Sequence, residues 1–238
     1  SLTNISTNTE TCFNIYSSNW NAGGITSVTG CVSISAPAIS MNASMANINS
    51  LHIIDSSRLD LNTTNINGNE VDITNTVGSS THNFINSVIN INTIDKSNSL
   101  PFNVNNSTIH TNNLILNGII GPNPYNFTQS NISFNRVSSD GVSAPETNDI
   151  SWNLNMSNMG VNNWYHDGLL TNNFFNIGNV SSITINNSSL INTFNTLFDS
   201  NQLSSINLNN LTATECSCIV NADESRSVRM NAVTNEGS

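Results

Sequence analysis

Cleaving or eliminating a polysaccharide linkage calls for paired carboxylates doing acid and base work, often with Arg or Lys to hold an acidic sugar. The nearest approaches to such pairs are Glu70 with Asp72, flanking one strand, and His166 with Asp167. Neither has a basic residue close in sequence, and Asp-Asp, Gly-His-Gly and Arg-x-Lys clusters are missing. The P-loop, dinucleotide fingerprint, H-E-x-x-H, G-x-S-x-G and EF-hand patterns are missing as well. The chain reads as no enzyme, with a β-helix polysaccharide lyase or hydrolase using Asp167 or Glu70 as the rival.

The histidines His52, His82, His110 and His166 stand far apart, without the His, Cys or Asp company of a metal site, and are expected at exposed or strand-edge positions. No metal site is assigned. Calcium is the one cofactor left open, through Asp140, Glu146 and Asp149 in one loop and through Glu70 and Asp72, against the plainer reading of solvated acids. The four cysteines, Cys12, Cys31, Cys216 and Cys218, fit a disulfide framework in an oxidising compartment, and Cys12 with Cys31 is the candidate N-terminal staple. Cys216 and Cys218 are too close to bridge each other in an extended strand, which leaves a cross-link elsewhere, including to another subunit. Asn-x-Ser/Thr sequons give glycosylation candidates at Asn4, Asn42, Asn62, Asn105, Asn106, Asn126, Asn131, Asn155, Asn179, Asn186, Asn187 and Asn210, most of which so Asn-rich a chain produces by chance. Trp152, Trp164, Tyr165, Phe174 and Phe175 form an aromatic cluster that reads first as core, and as a ligand or interface surface if it is exposed.

The elements that must position these residues are short strands. Apolar-x-apolar steps recur at Leu59/Leu61, Val71/Ile73, Ile89/Ile91, Phe102/Val104, Leu114/Leu116, Ile132/Phe134, Ile183/Ile185 and Ile206/Leu208, each followed by Asn, Thr, Ser or Gly. This is the period of a strand with one buried face. The links between them are too short and polar for crossover helices. The fold class is all-β, with a β-solenoid or parallel β-helix ahead of a β-sandwich or jelly roll. Asn supplies the solenoid's corners, because it tolerates the left-handed backbone region, and its amides form ladders when coils stack in register. Residues 1–45 are expected as an N-terminal cap or subunit contact, 46–214 as the solenoid with an irregular insertion over about 118–175, and 215–238 as a charged arm.

Composition sharpens the picture of the surface. Only 8% of the 238 residues are charged, Asn is about one residue in five, and Lys96 is the only lysine. A surface with few long charged side chains suits close packing against copies of itself, since ordering Lys and Glu costs entropy and desolvation. A net charge of −10 with five basic residues argues against nucleic acid and anionic membranes as partners. No apolar run reaches the roughly 18–20 residues of a transmembrane helix. The start at Ser1 is what a mature protein shows after removal of a signal peptide.

The apolar-x-apolar steps with trailing Asn, from Leu59 to Leu116 and again near Ile183, resemble the coils of parallel β-helix surface proteins: archaeal adhesin-like and sheath proteins and autotransporter passengers. The resemblance implies extracellular location, self-association and no active site. The leading expectation is a self-assembling extracellular filament, sheath or surface-layer subunit, a homopolymer held by strand pairing and intersubunit disulfides. The alternative is an adhesin or viral fibre gripping a glycan or host receptor through the Trp152–Phe175 region.

Overall fold

A strand that alternates apolar and small neutral side chains has one dry face and one wet face, and the wet face carries no charge to repel a like strand stacked against it. The computed structural model describes residues 6–7, 13–16, 20–35, 39–54, 59–74, 81–97, 101–117, 125–140, 151–170, 174–193, 196–200, 204–214, 216–223 and 227–237. Every strand pairing among them is parallel. The fold is therefore a β-solenoid, and the antiparallel sandwich or jelly roll is ruled out.

Four strands open the chain: Ser6–Thr7, Phe13–Tyr16, Trp20–Ser35 and Ile39–Ile54. From there each coil is a short strand, a corner, a long strand and a link, the corner having two residues in the first five coils and three at 179–181. The short strands are Leu59–Asn62, His82–Ile85, Phe102–Asn105, Tyr125–Thr128, Trp152–Asn155, Phe175–Gly178, Thr196–Ser200 and Cys218–Ala222. The long ones are Asn65–Thr74, Val88–Ser97, Thr108–Asn117, Asn131–Asp140, Asn158–Leu170, Ser182–Thr193, Ser205–Thr214 and Ser227–Glu236. Short strands stack on short and long on long, giving two parallel sheets. From Leu59 onward, residues in register lie 20, 22, 23, 24 or 27 positions apart in successive coils; most of the variation falls in the links, and one residue is added at the corner 179–181.

The corner explains why the repeat holds. Its first residue has positive φ, as at Thr63, Asn86, Asn106, Gln129 and Met156. The next is a buried Ser or Thr whose side-chain oxygen takes the backbone N–H of its counterpart one coil earlier. Thr64 N–H donates to Ser87 Oγ, Ser87 to Ser107, Ser107 to Ser130, Ser130 to Ser157 and Ser157 to Ser181, at 2.9–3.2 Å. The hydroxyls of Ser87, Ser107, Ser130 and Ser157 in turn donate to the carbonyl two residues before, at 2.7–2.9 Å. Backbone N–H groups that the turn would leave stranded in a dry interior are thus satisfied along the axis.

Inward side chains form columns. Phe102, Tyr125, Trp152, Phe175 and Phe198 occupy one register position; Tyr125 stacks on Trp152 at 4.6 Å between ring centres and Phe175 on Phe198 at 4.9 Å. Ile66, Ile89, Ile109, Ile132, Met159, Ile183 and Ile206 form another, all buried.

Three boundaries read from the sequence look different here. The stretch 118–175 contributes two complete coils, Tyr125–Thr128 with Asn131–Asp140 and Trp152–Asn155 with Asn158–Leu170, in register with both neighbours. Its aromatics fill the column rather than build a lobe. The stretch 215–238 is not an arm: Cys218–Ala222 and Ser227–Glu236 add a further rung. In 1–45, strand Trp20–Ser35 pairs in parallel with Ile39–Ile54 and so continues the stack.

Candidate functional site

The outward face of the long strands carries an asparagine column. Asn92 Nδ2 donates to Asn69 Oδ1, Asn112 to Asn92, Asn162 to Asn135, Asn186 to Asn162 and Asn209 to Asn186, at 2.8–3.2 Å. A second column on the short strands runs through Asn83 to Asp60, Asn103 to Asn83, Asn153 to Asn126, Asn176 to Asn153 and Asn221 to Asp199, at 2.8–3.2 Å. In every one of these bonds the later coil donates and the earlier accepts. The stack therefore has a direction: donors face the N-terminal end and acceptors the C-terminal end.

At Ser227–Glu236 the core runs open. Ile206, Leu208 and Leu211 are buried, yet their register partners on that rung are not: Val228 and Val233 are partly exposed and Met230 is 55% exposed. Among the described residues this strand pairs only on its Ser205–Thr214 side. Asn231 stands in register with Asn209, and on the short strand of the same rung Asn221 donates to Asp199. The rung thus carries a row of backbone groups, three apolar side chains and the last amide of the short-strand column. Fully burying those three side chains is worth on the order of 1.5–3 kcal/mol each. Association itself costs about 4–15 kcal/mol, so the backbone and amide ladders decide whether a partner rung stays.

The remaining candidates fall as follows. Cys12 lies outside the described residues, and of Cys31 only the backbone, in strand Trp20–Ser35, is described. Cys216 is buried with its thiol donating to the Cys218 carbonyl at 3.0 Å, and half-buried Cys218 opens the last short strand; no disulfide joins the two. Asn4 lies outside the described residues. Asn42 is exposed, its amide donating to Ser40 Oγ at 2.9 Å. The sequons at Asn62, Asn105, Asn155 and Asn179 coincide with corners, each ending in a buried Ser or Thr of the hydroxyl ladder. Asn186 repeats the motif at a later bend, where Ser188 Oγ accepts the Trp164 N–H at 3.1 Å and donates to Asn186 O at 3.0 Å. Asn126 belongs to the short-strand column, and Asn106, Asn131, Asn187 and Asn210 to further amide pairs between coils. These positions thus have structural roles in corners and ladders.

Trp152, Trp164, Phe174 and Phe175 are in the core, whereas Tyr165 is 41% exposed. His166 and Asp167 alternate across a strand, so buried His166, with Ser139 Oγ 2.7 Å from its Nδ1, lies on the opposite face from half-exposed Asp167. Glu70 and Asp72 share the outward face, where Ser50 Oγ donates to Glu70 at 3.4 Å and His52 Nδ1 meets Asp72 at 3.2 Å. Asp140 ends a long strand, and Glu146 and Asp149 lie outside the described residues. Among the described residues no three His, Cys, Asp or Glu side chains gather as a metal site. Against the expectation of exposed or edge histidines, His82 and His166 are buried, because His82 shares its face with Phe84 and His166 with Trp164; His52 and His110 face water.

The most chemically loaded group is not among the residues singled out from the sequence as site candidates: Lys96 is fully buried. Its Nζ lies 3.9 Å from the Phe102 ring centre and donates to Tyr125 Oη at 3.4 Å. Burial holds its pKa well below the ordinary lysine value. Burial first, and then the charge of Lys96, lowers the pKa of His82, whose Nδ1 accepts the Leu59 N–H at 3.0 Å. Burial raises the pKa of Tyr125. A signal for this was present, since Lys96 follows Ile94 at the strand period and so shares its inward face.

No protein-family model matches the chain, and no curated protein or solved structure matches it.

Proposed function

We propose that the chain is a self-assembling structural subunit of an extracellular filament or sheath, whose copies stack head to tail so that the coils of one continue those of the next. The observation that carries this reading is the common direction of the amide columns in the parallel stack, where every described link donates from the later coil to the earlier. An acceptor end is complementary to a donor end and not to another acceptor end, which favours a polar stack. Such a heterologous contact does not close on itself and generates open filaments. Natural sheets block exposed edges with charge and Pro, and Ser227–Glu236 carries only Arg229 and Glu236. Cys218, on the same terminal rung, is the group that would lock neighbouring copies by a disulfide, in keeping with an oxidising compartment.

Sedimentation velocity over a range of concentrations tests the contact. The unmodified chain is expected to grow into larger species as concentration rises, and Val228→Lys with Met230→Lys to remain a single slow boundary with an unchanged circular dichroism spectrum. Equal growth of that variant would remove the terminal rung from the assembly.

A further inference from the structure

Two depressions lie side by side on the flank of the solenoid and share Arg136. One, of about 650 Å³, is lined by Arg136, Asn163, Tyr165, Asn187 and Ser189 and floored by Val137 and Trp164. The other, of about 370 Å³, is lined by Thr93, Asn113, Ile115, Arg136 and Ser138. Together they make one groove parallel to the axis, between two columns of side chains. Thr93, Asn113, Arg136 and Asn163 are register partners along one wall, continued by Asn187 and Asn210. Ile115, Ser138, Tyr165 and Ser189 are register partners along the other. Strand spacing of about 4.8 Å gives the six positions of the first wall a length of roughly 24 Å.

We propose that this groove binds a linear oligosaccharide carrying carboxylates, laid along the axis with one carboxylate on Arg136. Besides Arg136 and Ile115, the walls are amides, hydroxyls and one exposed phenol ring, groups that match the hydroxyls and the C–H face of a sugar. The guanidinium of Arg136 is exposed, and among the described residues no carboxylate pairs with it, so its fork is open to a bidentate partner. The rung repeat is close to the length of one pyranose in an extended chain, so successive sugars meet equivalent wall positions. An extended peptide, which presents same-face side chains about 6.8 Å apart, does not keep that phase. The groove runs along the flank and not at the open rung, so the inference stands independently of head-to-tail assembly.

Titration calorimetry of the purified chain with linear hexasaccharides, one of uronate units and one of the corresponding neutral units, tests this. The uronate hexamer is expected to bind, the neutral one at least about tenfold more weakly, and shorter uronate chains progressively less. Arg136→Gln and Tyr165→Ala, both at exposed positions that leave the core intact, are each expected to weaken uronate binding by about tenfold, and Arg136→Lys by less. Absence of uronate binding would overturn the proposal. So would equal affinity for the neutral hexamer, or an affinity that Arg136→Gln and Tyr165→Ala leave unchanged.

Discussion

Burial disfavours the charged form of Lys96, and this makes the stability of the whole chain depend on pH. Because burial lowers the pKa of Lys96 and His82, the folded chain binds fewer protons there than the unfolded chain does. Stability therefore rises with pH below the ordinary values of about 10.4 for Lys and 6.5 for His, and falls as pH drops toward the lowered ones. Tyr125 acts in the opposite sense: its raised pKa gives a contribution that is complete below the ordinary value of about 10 and is lost above it. Lys96→Met combined with Tyr125→Phe is expected to stabilise the chain at neutral pH by roughly 1–3 kcal/mol and to flatten the rise of the urea midpoint between neutral and mildly alkaline pH. Lys96→Met alone gains less, because it strands the Tyr125 hydroxyl. A double variant less stable than the parent, with the pH slope intact, would contradict this account of the core. A second residue-scale case is Val180, 61% exposed with φ of 55°, where a β-branched side chain pays for the left-handed region. Val180→Asn is expected to raise the midpoint by the equivalent of about 1 kcal/mol.

At the scale of the element, the corner serine is the structural constant of the repeat. Ser130→Ala removes both the acceptor for the buried Ser107 N–H and the donor to Thr128 O, and should cost about 1–3 kcal/mol in urea denaturation. Ser133→Ala, exposed on the following strand, should cost within about 0.5 kcal/mol of nothing. Equal effects would deny the hydroxyl ladder its role. The strands themselves were legible: steps such as Ile89/Ile91 and Ile183/Ile185 fall on strands with the expected inward faces. Asn as the corner and ladder residue was legible too, because both uses follow from its amide and its tolerance of positive φ. The serine half of the corner went unseen, since Asn-x-Ser/Thr has a familiar reading as a glycosylation signal that conceals a structural one. The coils at Tyr125 and Trp152 read from sequence as an irregular insertion because that stretch gathers prolines and clustered aromatics, although their strands stay in register with the coils on either side. Sequence regularity varies with the links, whereas the fold keeps the strand register.

On the scale of the whole molecule, parallel stacking gives the solenoid a polarity that no antiparallel fold of the same composition has. Every described amide link in the two asparagine columns points the same way. Neither that direction nor the flank groove beside Arg136 was legible in the sequence, because both arise only when residues from six coils are brought into line. The scarcity of lysine, read as a surface adapted to close packing, keeps its sense with Lys96 moved to the interior: the described outer face then has no lysine at all. The measurement that tests head-to-tail stacking most directly is negative-stain electron microscopy of the purified chain, with and without reductant. Unbranched filaments one solenoid wide, shortened by reductant and absent for Val228→Lys with Met230→Lys, are the predicted result. Isolated particles of a single chain at every concentration, in both conditions, would contradict it.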